Sequence, residues 1–243
     1  RTSPVACNGK IAMCYNGANS TMRTSTDGLT WAVVQTGTLF SNAAVLDMTW
    51  GNDRFMAGIS RANSFSHYAY SFDGSAWYAG GLIFDQNSVY SVGPVRIRWN
   101  GSYWIAAGGT KDGPTNIARS VDGYTWTQLG GVSNQVTGLE WNGDTWLAAC
   151  QGNRVWTSSD GINWAFTALP TAIFSGGNGL DVAWSGAAWY VLGCNAAANG
   201  TAVIRSVDGS NWTLAASFPE SSVVYQPYIS ARRGFDIKQP ATQ

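Results

Sequence analysis

Ser120-Val121-Asp122-Gly123-Tyr124-Thr125-Trp126 decides the fold, because its pattern, Ser-x-Asp-Gly-x-x-Trp, returns at Ser25–Trp31, Ser71–Trp77, Ser158–Trp164 and Ser206–Trp212. The aspartates of the five copies, Asp27, Asp73, Asp122, Asp160 and Asp208, stand 46, 49, 38 and 48 residues apart. A phrase recurring every 40–50 residues or so marks a repeat architecture. In each copy the aspartate can hydrogen-bond its own turn, and the glycine suits a left-handed backbone position. The five aspartates therefore read as turn residues. One carboxylate per turn is too few oxygens for a calcium site.

A second phrase precedes each turn. It reads Trp99-Asn100-Gly101 then Trp104, Trp141-Asn142-Gly143 then Trp146, and Trp184-Ser185-Gly186 then Trp189. Looser forms are Trp50-Gly51-Asn52 then Phe55, and Cys7-Asn8-Gly9 then Ala12. Asn-Gly between β-prone segments signals a hairpin, because a type I′ turn needs positive φ at both central residues. With Asn100-Gly101 as those two residues, Trp99 faces Ser102 and Ile97 faces Trp104. Strand alternation then makes the two indoles diagonal neighbours on one face.

Each unit reads strand, Asn-Gly turn, strand, variable loop, strand, Asp-Gly turn, strand. In the fourth unit the strands fall at about 137–141, 146–150, 154–158 and 163–168. The expected fold is all-β: a β-propeller of four-stranded antiparallel blades, because radial stacking buries both faces of each sheet and leaves only short edges. Units near 3–38, 43–83, 92–130, 135–169 and 178–218 give five blades within one domain, 1–218. Residues 219–243 carry Val223-Val224-Tyr225 but neither phrase, and read as a C-terminal tail or a ring-closing segment. A degenerate sixth blade involving the tail is the alternative.

The repeated phrase resembles the Asp-box, or bacterial neuraminidase repeat, of sialidases and other propellers. It covers all five units, in a form one residue shorter between Asp and Gly. The resemblance implies a turn between the third and fourth strands, away from the catalytic face of those enzymes. By size and blade count the chain is also similar to the five-bladed tachylectin-2 type of sugar-binding lectin. Sialidases with this repeat use three arginines, a Tyr-Glu pair and an aspartate. Here Glu140 and Glu220 are the only glutamates, neither with an obvious tyrosine partner, and Arg119 and Arg205 sit beside the Asp-Gly turns.

Composition narrows the function classes. The chain has 243 residues and a formal net charge of zero, and charged residues make up 12%, about half the usual share. Without a basic stripe, nucleic acid is not an expected partner. No apolar stretch reaches the ~20 residues that span a bilayer. The chain opens on Arg1, which reads as a processed product or an excised domain. Low charge, abundant Gly, Ser, Thr, Asn and Trp, and sequons at Asn19, Asn100, Asn199 and Asn211 suggest an extracellular or virion-surface setting. Cys7, Cys14, Cys150 and Cys194 allow three disulfide pairings and form no C-x-x-C. With His67 the sole histidine, neither a metal site nor a cofactor is expected.

Twelve of the thirteen tryptophans occupy repeat positions and read as core. Trp156 has no counterpart in other units and is the aromatic candidate for a surface role. The short turns share one end of the blades, and the variable loops share the other, where binding is usually built. The richest loop segment runs from Arg61 to Tyr68. His67 and Tyr68 are its candidates, with His67 read as a solvated loop residue rather than a catalytic one. On the innermost strands, Asp47, Arg96 and Asp181 share one repeat position, and Arg98 and Glu140 another. Asp47, Arg96 and Asp181 read either as buried ion pairs or as a ligand site at the channel mouth.

Three functions follow from this pattern. The favoured one is a non-catalytic, lectin-like module that binds glycans through the loop face, with a partner protein as the other kind of ligand. The second is a structural or attachment protein within a virus or phage particle. The third is a glycoside hydrolase using Asp47, Asp181 and Glu140 around the channel.

Overall fold

The structure is a computed structural model that describes residues 5–7, 9–15, 21–36, 39–40, 43–61, 66–84, 96–108, 116–171, 181–195 and 200–219. Blade one holds β1 (Val5–Cys7), β2 (Lys10–Tyr15), β3 (Thr21–Ser25) and β4 (Ala32–Val33). Blade two holds β5 (Ala43–Gly51), β6 (Arg54–Arg61), β7 (Tyr68–Ser71) and β8 (Tyr78–Gly81). Blade three holds β9 (Arg96–Trp99), β10 (Trp104–Ala107), β11 (Ile117–Ser120) and β12 (Thr127–Leu129). Blade four holds β13 (Val136–Trp141), β14 (Trp146–Cys150), β15 (Arg154–Ser158) and β16 (Ala165–Ala168). Blade five holds β17 (Asp181–Trp184), β18 (Trp189–Asn195), β19 (Gly200–Ser206) and β20 (Thr213–Pro219).

Each blade is a four-stranded antiparallel sheet with its strands in chain order. The fold is a five-bladed β-propeller. Val223-Val224-Tyr225, which a sixth blade would use, lie outside the described residues. Neighbouring sheets meet through their first strands: β5 packs on β1 and β9, and β13 packs on β9 and β17.

The Asp-Gly turns explain why the phrase repeats. In all five, the serine Oγ accepts the glycine N–H at 2.8–2.9 Å. The same hydroxyl donates to the aspartate Oδ1 at 2.8–3.2 Å. That Oδ1 also receives the N–H groups of the two residues after the glycine, at 2.7–2.9 Å. The glycines take φ of +71° to +76°, where a side chain is strained. These backbone donors hold all five carboxyls below the usual carboxylate range, with Asp122 at about 2. The tryptophans are half-buried, and Trp31, Trp77 and Trp212 donate Nε1–H back to the turn glycine's carbonyl.

The Asn-Gly hairpins correct the expected register. Trp99 pairs directly with Trp104, Trp141 with Trp146, and Trp184 with Trp189. The connection is therefore a four-residue loop, not a two-residue type I′ turn. Asn100 Oδ1 accepts from both Ser102 N and Tyr103 N, at 3.0 and 2.9 Å, and Asn142 does the same for Asp144 and Thr145. Asn100 thus serves as an acceptor for two turn amides, and only Gly101 takes positive φ. The indoles become direct neighbours, with ring centroids 4.9–5.0 Å apart in the three pairs. The tight turn does occur in blade two, at Asn52 and Asp53, with φ of 45° and 56°.

Trp104, Trp146 and Trp189 are fully buried. Each lies in an apolar cluster built from two adjacent blades: Trp104 with Met56 and Tyr68, Trp146 with Tyr103 and Ile105, and Trp189 with Leu147 and Val155. The indoles are the filling between sheets, and burial of such large side chains is the main favourable term holding the blades together.

Candidate functional site

The inner strands carry the ionisable residues singled out above, but their pairing differs from expectation. Asp47, on β5, forms its ion pair with Arg98 of β9, not with Arg96. Its Oδ2 also accepts Ile97 N–H at 3.3 Å. Arg98 Nε lies 3.9 Å from Glu140 Oε2 on β13, and Glu140 Oε1 accepts the N–H of Trp141 at 3.1 Å. One arginine thus bridges carboxylates from blades two and four.

A bulge sets this arrangement. The β5–β6 register slips between Val45 and Asp47, and β13–β14 slips at the equivalent place, between Val136 and Gly138. A bulge bends and twists its strand and re-aims the side chains beside it. The carbonyl of Leu46, in the first bulge, accepts Arg96 Nη1 at 3.4 Å, so Arg96 is spent on backbone. Asp181 is buried at the start of β17, against Gly138 of blade four. A Cβ on Gly138 would stand 2.9 Å from Val182 N and 3.1 Å from Asp181 Oδ1. This glycine is what lets the two inner strands approach.

His67 is not a solvated loop residue. It is 1% exposed, and its Nδ1 accepts the N–H groups of Ile83 and Phe84 at 3.0 and 3.1 Å. The proton of the neutral ring therefore sits on Nε2, which is buried without a hydrogen-bond partner. Desolvation lowers the imidazole pKa to about 4. Tyr68 opens β7 and is 0% exposed, with its ring against the α-carbon of Gly80 and 5.8 Å from Trp126. Burial pushes its phenol pKa up. Both side chains are buried and pack within the blade.

Trp156 is half-buried on β15, opposite Ala148 and Phe166. Its ring lies 5.3 Å from Phe166, packs on the core between blades three and four, and buries Nε1 without an acceptor. Loop residues 16–20, 62–65, 85–95, 109–115 and 196–199, which carry most of the variable face, lie outside the described residues. So do the side chains of Cys7, Cys14 and Cys194. Cys150 is a buried free thiol whose pKa desolvation pushes up to about 12.

No protein-family model and no curated protein matches this chain. Solved propellers do share its fold. YCF48 bound to D1 peptide is 15% identical, with a TM-score of 0.60 over 88% of this chain and 66% of that one. The GH74 xyloglucanase from Xanthomonas campestris is 13% identical, with a TM-score of 0.61 over 87% of this chain and 38% of that one. A chain of the Mitotic Checkpoint Complex is 13% identical, with a TM-score of 0.52 over 94% of this chain and 83% of that one. The chain thus spans less than two thirds of the first two in length. At these identities the likeness is one of fold, and it extends to both binding proteins and glycoside hydrolases.

Proposed function

We propose that the chain is a non-catalytic binding module that takes glycans on its variable-loop face. The observation that carries the non-catalytic half is the Asp47–Arg98–Glu140 bridge. A glycosidase needs two carboxyl groups free to serve as acid and as base or nucleophile. Here the arginine stands between two of the three candidate carboxylates, and backbone N–H groups occupy both of them. The bridge reads as a clamp between inner strands.

The binding half is supported by the division of labour along each blade. Short, internally hydrogen-bonded turns close one end, and loops of unequal length emerge at the other. Low charge and the sequons go with an extracellular or virion-surface location. The test is a glycan array with a parallel peptide panel, run on wild type and on a variant with 62–65 and 109–115 replaced by Gly-Ser. Saturable glycan binding lost in the variant is expected. Peptide binding without glycan binding refutes the ligand class. Hydrolysis of chromogenic glycosides that disappears in Asp47→Asn refutes the non-catalytic reading.

A further inference from the structure

The end of the propeller that carries the tight turns also carries a cluster that the repeat does not require. Tyr70 sits at its centre. Tyr78 stacks on Tyr70 with centroids 5.5 Å apart and an interplanar angle of 29°. Phe72 and Tyr124 meet Tyr70 edge-on at 5.8 and 5.3 Å. Tyr124 comes from the Asp-Gly turn of blade three, so the cluster spans two blades. Phe72, Tyr78 and Tyr124 remain 54%, 50% and 45% exposed.

Arg54 completes the cluster. Its Cζ lies 4.6 Å from the Tyr124 ring centroid and 5.6 Å from that of Phe72. Its Nε donates to Asn52 O at 3.3 Å, while Nη1 is buried with no acceptor. Among the described residues the side chain makes no ion pair. Arg54 is 9% exposed as a residue, and holding a charged side chain at that depth without a carboxylate is costly. Cation–π contact offsets only part of that cost.

The other blades show that folding does not demand this set. At the position of Arg54 they have Lys10, Tyr103, Thr145 and Ala188, so only blade one also has a cation there, and at that of Tyr70 they have Thr24, Arg119, Thr157 and Arg205, none of them aromatic. Blade four fills the places of Phe72 and Tyr78 with Ser159 and Ala165. Single exposed apolar residues need no explanation, but a contiguous aromatic patch around an unpaired cation does.

We propose that this inter-blade cluster is a binding site for acidic saccharides, distinct from the loop-face site at the opposite end. Tyr78, stacked on Tyr70 and half-exposed, presents a flat aromatic face to the C–H side of a pyranose ring. The Arg54 guanidinium supplies the counter-charge and donor for a uronate carboxylate. Phe72 and Tyr124 flank it, so rotation of either half-exposed ring admits the carboxylate to Nη1. Of the possible ligands, a uronic-acid oligosaccharide uses both halves of the site at once, the flat rings and the cation.

The test is calorimetric titration of the whole chain at low salt with trigalacturonic acid, maltotriose and hexaglutamate. Saturable binding of trigalacturonic acid alone is expected. Arg54→Gln should weaken it about tenfold or more, the loss of a charged hydrogen bond. Tyr78→Ala and Phe72→Ala should each weaken it about fivefold, with unchanged melting temperature because both rings are half in solvent. These two keep the test decisive if Arg54→Gln fails to fold. Replacement of 62–65 and 109–115 should leave trigalacturonate binding intact, whatever it does to other glycans. No saturable binding, equal binding of maltotriose, or equal binding of hexaglutamate overturns the proposal. So does trigalacturonate binding that survives all three cluster variants and falls only with the loops, a result that would instead support the loop-face site.

Discussion

Replacing Ser158 by alanine removes one oxygen and strands one buried amide. Ser158 is 4% exposed, and its hydroxyl accepts Gly161 N–H at 2.9 Å and donates to Asp160 Oδ1 at 3.0 Å. Asp160 loses little, because Ile162 N, Asn163 N and Asn163 Nδ2 still reach its carboxylate, each at 2.8 Å. Gly161 loses its acceptor, and it is buried against Tyr103 and Ile105. An unsatisfied buried N–H costs about 1–3 kcal/mol, so the substitution should cost about 2 kcal/mol. For a chain of this size that is a fall of roughly 4–8 °C in Tm. Ser25→Ala is the internal control: Gly28 is only half-buried, water reaches its N–H, and the cost should be about 1 kcal/mol. Ser71→Ala combined with Ser158→Ala should be additive, since the turns lie in different blades. Urea unfolding followed by tryptophan fluorescence, with the midpoint moving at constant m, reads all of these. A Ser158→Ala variant within about 0.5 kcal/mol of wild type refutes the reasoning, as does a Ser25→Ala cost equal to it.

Gly80→Ala should be among the most damaging single changes, at roughly 3 kcal/mol or more, because the new methyl collides with the buried Tyr68 ring; Gly101→Ala, with open space but φ of +102°, should cost about 1 kcal/mol in the same assay. Acid should destabilise the fold in two windows. His67, lowered from 6.5 to about 4, binds its proton more weakly when folded, so stability falls as pH drops from about 6.5 to about 4. The turn aspartates have folded values below 3.8, so a second loss runs from about pH 4 downward. His67→Asn keeps an acceptor for Ile83 and Phe84 and should erase the first window only, as read by Tm against pH. Arg98→Met should cost more than the double variant Asp47→Asn/Arg98→Met, because the single change leaves a carboxylate without its partner; equal costs would refute the clamp. Cys150 should resist alkylation in the native protein and react at the rate of unfolding, as mapped by mass spectrometry of iodoacetamide-treated samples.

Blade number, strand order and the turn roles of Asp27, Asp73, Asp122, Asp160 and Asp208 were written in the chain itself. Their physics is local: a serine hydroxyl, a carboxylate and a left-handed glycine close a turn with their own next few amides. The fourth unit shows how far this goes, with strands expected at 137–141, 146–150, 154–158 and 163–168 and found at Val136–Trp141, Trp146–Cys150, Arg154–Ser158 and Ala165–Ala168. Register was harder even locally, because Asn100 had two ways to close its hairpin and a side-chain acceptor selected the longer one. Only the packed ring decided that Asp47 meets Arg98 rather than Arg96, that His67 lies inside, and that Tyr124 of one blade joins Arg54 and Tyr70 of another. The ion pair and the Tyr124 contacts join residues about fifty or more apart in the chain, and His67 is held by amides 16 and 17 residues on. They depend on bulges and on the offset between twisted sheets, quantities that a repeat period does not contain.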